Sequence, residues 1–133
     1  MEMRELLKKT VEQGKWINIR ESGGSWIVTL DLKGGRKQTV MVSTFEEGGH
    51  SYGRLKSKIA PAAGLSSQRP TMALRMNAGL THGSLCIDGE DLVIQETLML
   101  SETTPTHLLA SLQYIGEAAD RYEKTMAGGS DKH

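Results

Sequence analysis

Three glycine pairs, Gly23-Gly24, Gly34-Gly35 and Gly48-Gly49, divide the first fifty residues into segments whose apolar side chains recur at every second position. A period of two marks a strand with one buried face, and glycine reaches the positive φ that tight hairpin turns require. Residues 16–20 alternate, with Ile17 and Ile19 on one side. After the first pair, Trp26, Val28, Leu30 and Leu32 alternate against Ile27, Thr29 and Asp31; after the second, residues 36–45 set Val40 and Val42 opposite Met41. Three strands joined in this way predict an antiparallel meander. Residues 52–60 alternate more weakly through Leu55, Ser57 and Ile59, which fits either a fourth strand closed by Pro61 or a helical turn.

The remaining segments read as helices and one further hairpin. Met3, Leu7 and Val11 step by four along residues 2–13, with Leu6 widening the stripe and Gly14 ending it, as in a short amphipathic helix. After the polar residues 66–69, Pro70 suits the first turn of a second short helix, lined by Met72, Ala73, Met76 and Leu80 and ending near residues 77–79. Residues 82–88 and 91–100 form two strands about the Asp88-Gly89-Glu90 turn, with Leu85 and Ile87 on one face and Leu92, Ile94, Leu98 and Leu100 in step. Glu96 breaks that stripe and is expected at a wet sheet edge or helix end, because a buried unpaired charge is costly.

Thr103 or Thr104 caps a last helix with Pro105 at its first position. Leu108, Leu112, Ile115, Ala119, Tyr122 and Met126 line that helix, and Gly128-Gly129 stop it. The expected fold class is α+β, with helices packed on a twisted antiparallel sheet of five or six strands in the order α-β-β-β-(β)-α-β-β-α. One domain is expected over residues 1–127, with a disordered tail at 128–133.

Composition narrows the function classes. A chain of 133 residues suits one domain, and its single cysteine, Cys86, forms no internal disulfide. Apolar runs are too short for a membrane-spanning helix, and the N-terminus, MEMRELLKKT, lacks a basic-then-apolar leader. These features point to a cytoplasmic protein. Sixteen basic and 16 acidic residues cancel, which argues against nucleic-acid binding. The charges are unevenly placed: residues 1–75 carry 13 basic and 7 acidic residues, and residues 76–133 carry 3 and 9. Either the halves, or two subunits, attract one another, or both halves simply have solvated faces.

Residues that could carry chemistry are scattered. His50, His82, His107 and His133 form no H-x-x-x-H or H-E-x-x-H pair, and Cys86 has no C-x-x-C partner. No metal, cofactor or catalytic site is expected. With His82 and Cys86 in one strand, four residues place them about 13 Å apart at about 3.3 Å per residue, too far for a nucleophile and its base. The glycine pairs match no phosphate-binding loop, and D-G-E-D lacks the spacing of a calcium loop. What alternation does produce is a second sheet face, where Trp16, Ile27, Met41, Cys86, Val93 and Met99 mix with Thr29, Thr39, Gln95 and Thr97. That face is too apolar to be fully wet and too polar for a core. It is a candidate partner surface, with Trp16, Ile27, Met41, Val93 and Met99 as the contact residues, unless the first helix or residues 46–70 cover it.

Residues 73–123 hold an L-x-x-N that ends a short helix (Leu74 to Asn77), a G-x-L strand (Gly83 to Leu85), alternating leucines, and A-A-D-x-x-E on the last helix (Ala118 to Glu123). In these features the chain resembles the YbjN-like group and the related class I chaperones of type III secretion. The resemblance implies helices on one twisted antiparallel sheet, often a homodimer, and a chaperone or regulatory role in binding another polypeptide without an active site. The expected function is therefore a non-enzymatic protein-binding module that holds an extended client segment. The segment would lie on the apolar sheet face, in a groove beside the first helix, or along a free sheet edge. Its expected partners are a protein and a second copy of the chain, with no nucleic acid and no membrane. A reading from a different class is a small-ligand sensor or enzyme, with Glu96, His82 and Tyr122 in a pocket between sheet and last helix.

Overall fold

The computed structural model describes residues 2–14, 16–64 and 69–131. The alternating segments pair into one six-stranded antiparallel sheet: β1 (Ile17–Ser22), β2 (Ser25–Asp31), β3 (Lys37–Glu47), β4 (His50–Pro61), β5 (Ser84–Asp88) and β6 (Asp91–Met99). The strand order is β1-β2-β3-β4-β6-β5, so β6 lies between β4 and β5. Residues 52–60 are a strand, as the weak alternation allowed, and Pro61 is its last residue, paired with Asp91. Three helices complete an α+β fold in the expected order: α1 (Met3–Gln13), α2 (Arg69–Met76) and α3 (Pro105–Asp131).

Register decides which side chains share a face. Val28 opposes Val40, Trp26 opposes Val42, and Val42 opposes Leu55. With Leu30, Ile94 and Leu98 these residues line the face on which α1 and α3 pack, meeting Leu6, Leu7, Leu108, Leu112 and Ile115. Each such side chain, removed wholly from water, contributes about 1.5–3 kcal/mol. α3 approaches β2 closely because Gly116 has no side chain: a Cβ there would sit 2.2 Å from Leu30 Cδ1. Two buried polar residues on this face satisfy each other, with Gln38 Nε2 donating to Ser57 Oγ at 3.0 Å and Ser57 Oγ donating to the Thr39 carbonyl at 2.6 Å.

α1 turns slightly from its expected stripe. It buries Met3, Leu6, Leu7 and Thr10, leaving Val11 exposed. Spacings of three and four keep a helical face toward a core better than a pure four-step, which drifts around the helix. Thr10 is admitted because its hydroxyl donates to the Leu6 carbonyl at 2.7 Å. At the start of α3, Thr104 is the cap: its Oγ1 accepts the His107 N–H at 3.0 Å. The helix continues past Gly128-Gly129 to Asp131; glycine costs about 1 kcal/mol in a helix relative to alanine but keeps the N–H that extends the ladder. The side chain of Met126, residues 66–68 of the expected polar stretch, and residues 132–133 of the expected tail lie outside the described residues.

The charge asymmetry has a structural counterpart. Arg36–Asp120, Lys56–Asp88 and Lys58–Asp91 each join a base from the first half to an acid from the second. Arg36 Nε lies 3.1 Å from Asp120 Oδ2 and ties α3 to the turn between β2 and β3. The two lysine pairs are exposed, where ion pairs contribute little individually.

Candidate functional site: an open sheet face and a histidine–glutamate cluster

The face opposite α1 and α3 carries alternate residues of each strand. Ile27 pairs with Met41 across β2 and β3, Phe45 with Tyr52 across β3 and β4, and Tyr52 with Met99 across β4 and β6. Phe45 and Tyr52 stack with ring centroids 5.3 Å apart, and the Arg54 guanidinium lies 4.6 Å from the Phe45 ring centre. Met41 is 44 % exposed; Thr39 and Ser43, flanking it on β3, are exposed as well, as is Thr97 on β6. Among the described residues, α1 and α3 both pack on the other side.

The residues expected to contact a partner divide. Ile27, Met41 and Met99 lie on this open face with partial or full exposure. Val93 shares their parity but is only 3 % exposed, between Lys58 of β4 and Cys86 of β5. Trp16 is elsewhere. It precedes β1, so strand alternation does not fix its direction, and its ring packs on the core side, close to Gly14 and Leu109. Phe45 and Tyr52, which the sequence reading does not include, also lie on this face; Phe45 has the parity of Met41, four residues along the same strand.

Beside the N-terminal end of α1 lies an open groove of about 910 Å³, with Glu2, Glu5, Trp26, Phe45, His50 and Leu100 among its walls.

A second grouping forms under α3. β5 begins at Ser84, not His82, because Gly83 takes a φ of +71° and turns the chain. The expectation that His82 shares a strand face with Cys86 therefore fails. His82 instead faces Glu96 and Ser111, with Nδ1 3.5 Å from Glu96 Oε2 and 3.4 Å from Ser111 Oγ. Ser111 Oγ donates to the same Glu96 Oε2 at 3.3 Å. Glu96 is not at a wet edge: it lies on the interior strand β6 with a side chain 13 % exposed, and its Oε1 is buried without a hydrogen-bond partner. A buried carboxylate tolerates this site only through the polar groups around it.

His107, exposed in the first turn of α3, brings its ring centre to 6.1 Å from that of His82. His82, Glu96 and His107 each offer a ligand atom, and these atoms all lie within 4.8 Å of one another. Tyr114 completes the surroundings: its hydroxyl accepts the Thr81 N–H at 2.9 Å, and its ring centre is 5.1 Å from that of His82.

Of the trio suggested for a small-ligand pocket, His82 and Glu96 do meet, but Tyr122 does not join them. It lies eleven residues beyond Ser111 on α3, about 16 Å along the axis at about 1.5 Å per residue. Nor do Ser111, His82 and Glu96 form a nucleophilic relay. In such a relay the serine and the acid address opposite ring nitrogens, whereas here both meet Nδ1 and Ser111 is fully buried. Cys86 is a lone thiol whose pKa is raised above the ordinary value, first by burial and then by Asp88, against the opposing pull of Lys56 and Arg54.

No family model matches this chain. No curated protein matches it either. Among solved structures it is similar to a chain of the "Structure of the HopA1-SchA Chaperone-Effector Complex", with a TM-score of 0.64 at 9% sequence identity, over 91% of this chain and 92% of that one. At that identity the likeness is one of fold.

Proposed function

We propose that this chain is a non-enzymatic, chaperone-like protein-binding module that holds an extended segment of a partner polypeptide and acts as a homodimer in the cytoplasm. The observation that carries the reading is the open sheet face, where Ile27, Met41, Phe45, Tyr52 and Met99 present aliphatic, thioether and aromatic surface opposite the helix layer. Flexible methionines and stacked aromatics adapt to varied apolar side chains, and an extended peptide matches a sheet's repeat. The fold likeness to a chain from a chaperone–effector complex agrees with this assignment. A second copy has its own apolar surface to cover, since Leu74 on α2 is 71% exposed and Ile87 on the neighbouring β5 is 51% exposed.

The test uses extended peptides selected from an immobilised library and measured in solution by fluorescence anisotropy. Met41→Asp and Tyr52→Asp should each weaken binding by about tenfold or more, the usual cost of spoiling a central contact. Peptides that bind both variants as tightly as the parent chain would refute the assignment.

A further inference from the structure

We propose that His82, Glu96 and His107 form a binding site for a borderline first-row divalent cation, of which zinc is the type. Two imidazoles and a carboxylate are the donor set such ions prefer, and three protein ligands leave a position open to water. Around one tetrahedral ion with bond lengths near 2.0–2.2 Å, donor atoms sit about 3.3–3.6 Å apart. His82 Nδ1 and Glu96 Oε2 are already at 3.5 Å, and all three ligand atoms fit within 4.8 Å. His107 is exposed in the first turn of α3, so its ring is the one free to swing inward and close the remaining gap.

The unpartnered Glu96 Oε1 is the independent observation. A buried carboxylate oxygen with no donor is a costly arrangement; Glu96 Oε1 is such an atom, and a cation held by this carboxylate would offset that cost beyond what Ser111 and His82 supply at Oε2. The surroundings hold the ligands in place: Ser111 Oγ donates to Glu96 Oε2, and Tyr114 anchors the turn that presents His82 through the Thr81 N–H. Groups of this kind orient metal ligands and contribute to affinity. The ligands come from the turn before β5, from β6 and from the start of α3, so a bound ion would fasten the helix layer to the sheet. This inference is independent of the partner-binding face, which lies on the other side.

The test is a zinc titration of the full chain, first stripped with a chelator, followed by calorimetry and by competition with a chromophoric chelator. The expected result is one zinc per chain, a rise in melting temperature with zinc, and zinc-induced shifts of the His82 and His107 ring resonances but not of His50. His107→Ala, at an exposed position, and Glu96→Gln, which keeps the side chain's shape, should each weaken zinc binding by about tenfold or more. His50→Ala should leave it unchanged. Circular dichroism confirms that each variant folds, and His107→Ala alone decides the matter if Glu96→Gln does not. Absence of saturable binding, binding unaffected by His107→Ala, or binding that follows His50 or His133 would overturn the proposal.

Discussion

The side-chain amide of Asn77 binds the backbone of Leu85 at both ends, its Oδ1 accepting the Leu85 N–H at 2.5 Å and its Nδ2 donating to the Leu85 carbonyl at 3.2 Å. β5 is an outer strand of the sheet, and an unpaired outer edge is open to pairing with other chains. The amide takes the place of a neighbouring strand at one residue. This gives the L-x-x-N and G-x-L segments a common physical cause, since the last residue of the first binds the last residue of the second.

Asn77→Ala should therefore cost about 1–3 kcal/mol, the penalty for leaving a part-buried donor and acceptor unpaired. Urea unfolding measures the loss, and amide exchange localises it. The Leu85 amide should exchange faster while the Leu30 amide, on the interior strand β2, keeps its protection relative to global stability. Unchanged Leu85 exchange would show that water replaces the amide without cost.

Gly83 is the most constrained of the positive-φ glycines. A Cβ there would meet the Gln95 carbonyl oxygen at 2.6 Å and Ile115 Cδ1 at 2.8 Å, with φ at +71°. Gly83→Ala combines left-handed strain with overpacking and should cost about 2–5 kcal/mol. Gly24→Ala has φ +83° but meets nothing within 4 Å, and should cost only the backbone term, about 1–2 kcal/mol. Equal losses in thermal unfolding would mean that the Gly83 turn relaxes freely.

The same turn explains which features were legible in the sequence. Strands β1 to β3 and β6 follow from alternation and glycine turns, because a half-buried strand must repeat every second residue; the weaker alternation of β4 leaves a helical turn open, which only its pairing with β3 and β6 decides. That rule also placed Ile27, Met41 and Met99 on one face. It failed at Trp16, which lies before the first strand residue, and at His82, where Gly83 turns the chain before the strand starts. Glu96 stands out in the sequence as an exception within an apolar stripe, but the wet edge expected for it is an interior, largely buried position. Its partners could not be read, because Ser111 and His107 come from a helix whose orientation over the sheet no short-range pattern encodes. Asp120 of A-A-D-x-x-E is similar: its partner Arg36 is distant in sequence, and the pair exists only once α3 lies across the β2–β3 turn.

Cys86 offers a chemical readout of the open face. Burial first, and Asp88 second, raise its pKa, so the folded chain favours the neutral thiol. A raised folded value means stability that is complete below the unfolded thiol's pKa and lost as pH climbs through the folded value. Iodoacetamide should accordingly modify Cys86 more slowly than a free cysteine peptide at neutral pH, with the rate rising in alkaline solution. Asp88→Asn removes the second cause and frees Lys56 from its ion pair, so alkylation at neutral pH should quicken. An unchanged or slower rate would contradict the electrostatic reading.

Leu74 tests the proposed second copy. At 71% exposure it makes little of the chain's own core, so Leu74→Asp should change unfolding free energy of the monomer by no more than about 0.5 kcal/mol. It should nonetheless convert a dimer to a monomer in light scattering coupled to size-exclusion chromatography. A dimer that survives the substitution places its interface elsewhere.

The sequence groups Trp16 and Met41 on one surface, yet the fold puts Trp16 against the core and leaves Met41 exposed, so a paired substitution separates stability from the proposed binding. Trp16 packs against the core beside Leu109, so Trp16→Asp should lower stability by about 1–3 kcal/mol through lost burial and a charge placed near apolar surface. Met41 is 44 % exposed on the open face, so Met41→Asp should stay within about 0.5 kcal/mol of the parent in urea while weakening peptide capture. At a denaturant-free temperature where both variants are fully folded, Trp16→Asp should still bind peptides. If it instead loses binding while Met41→Asp keeps it, the partner lies on the helix side of the sheet, and the groove beside α1 becomes the surface to map.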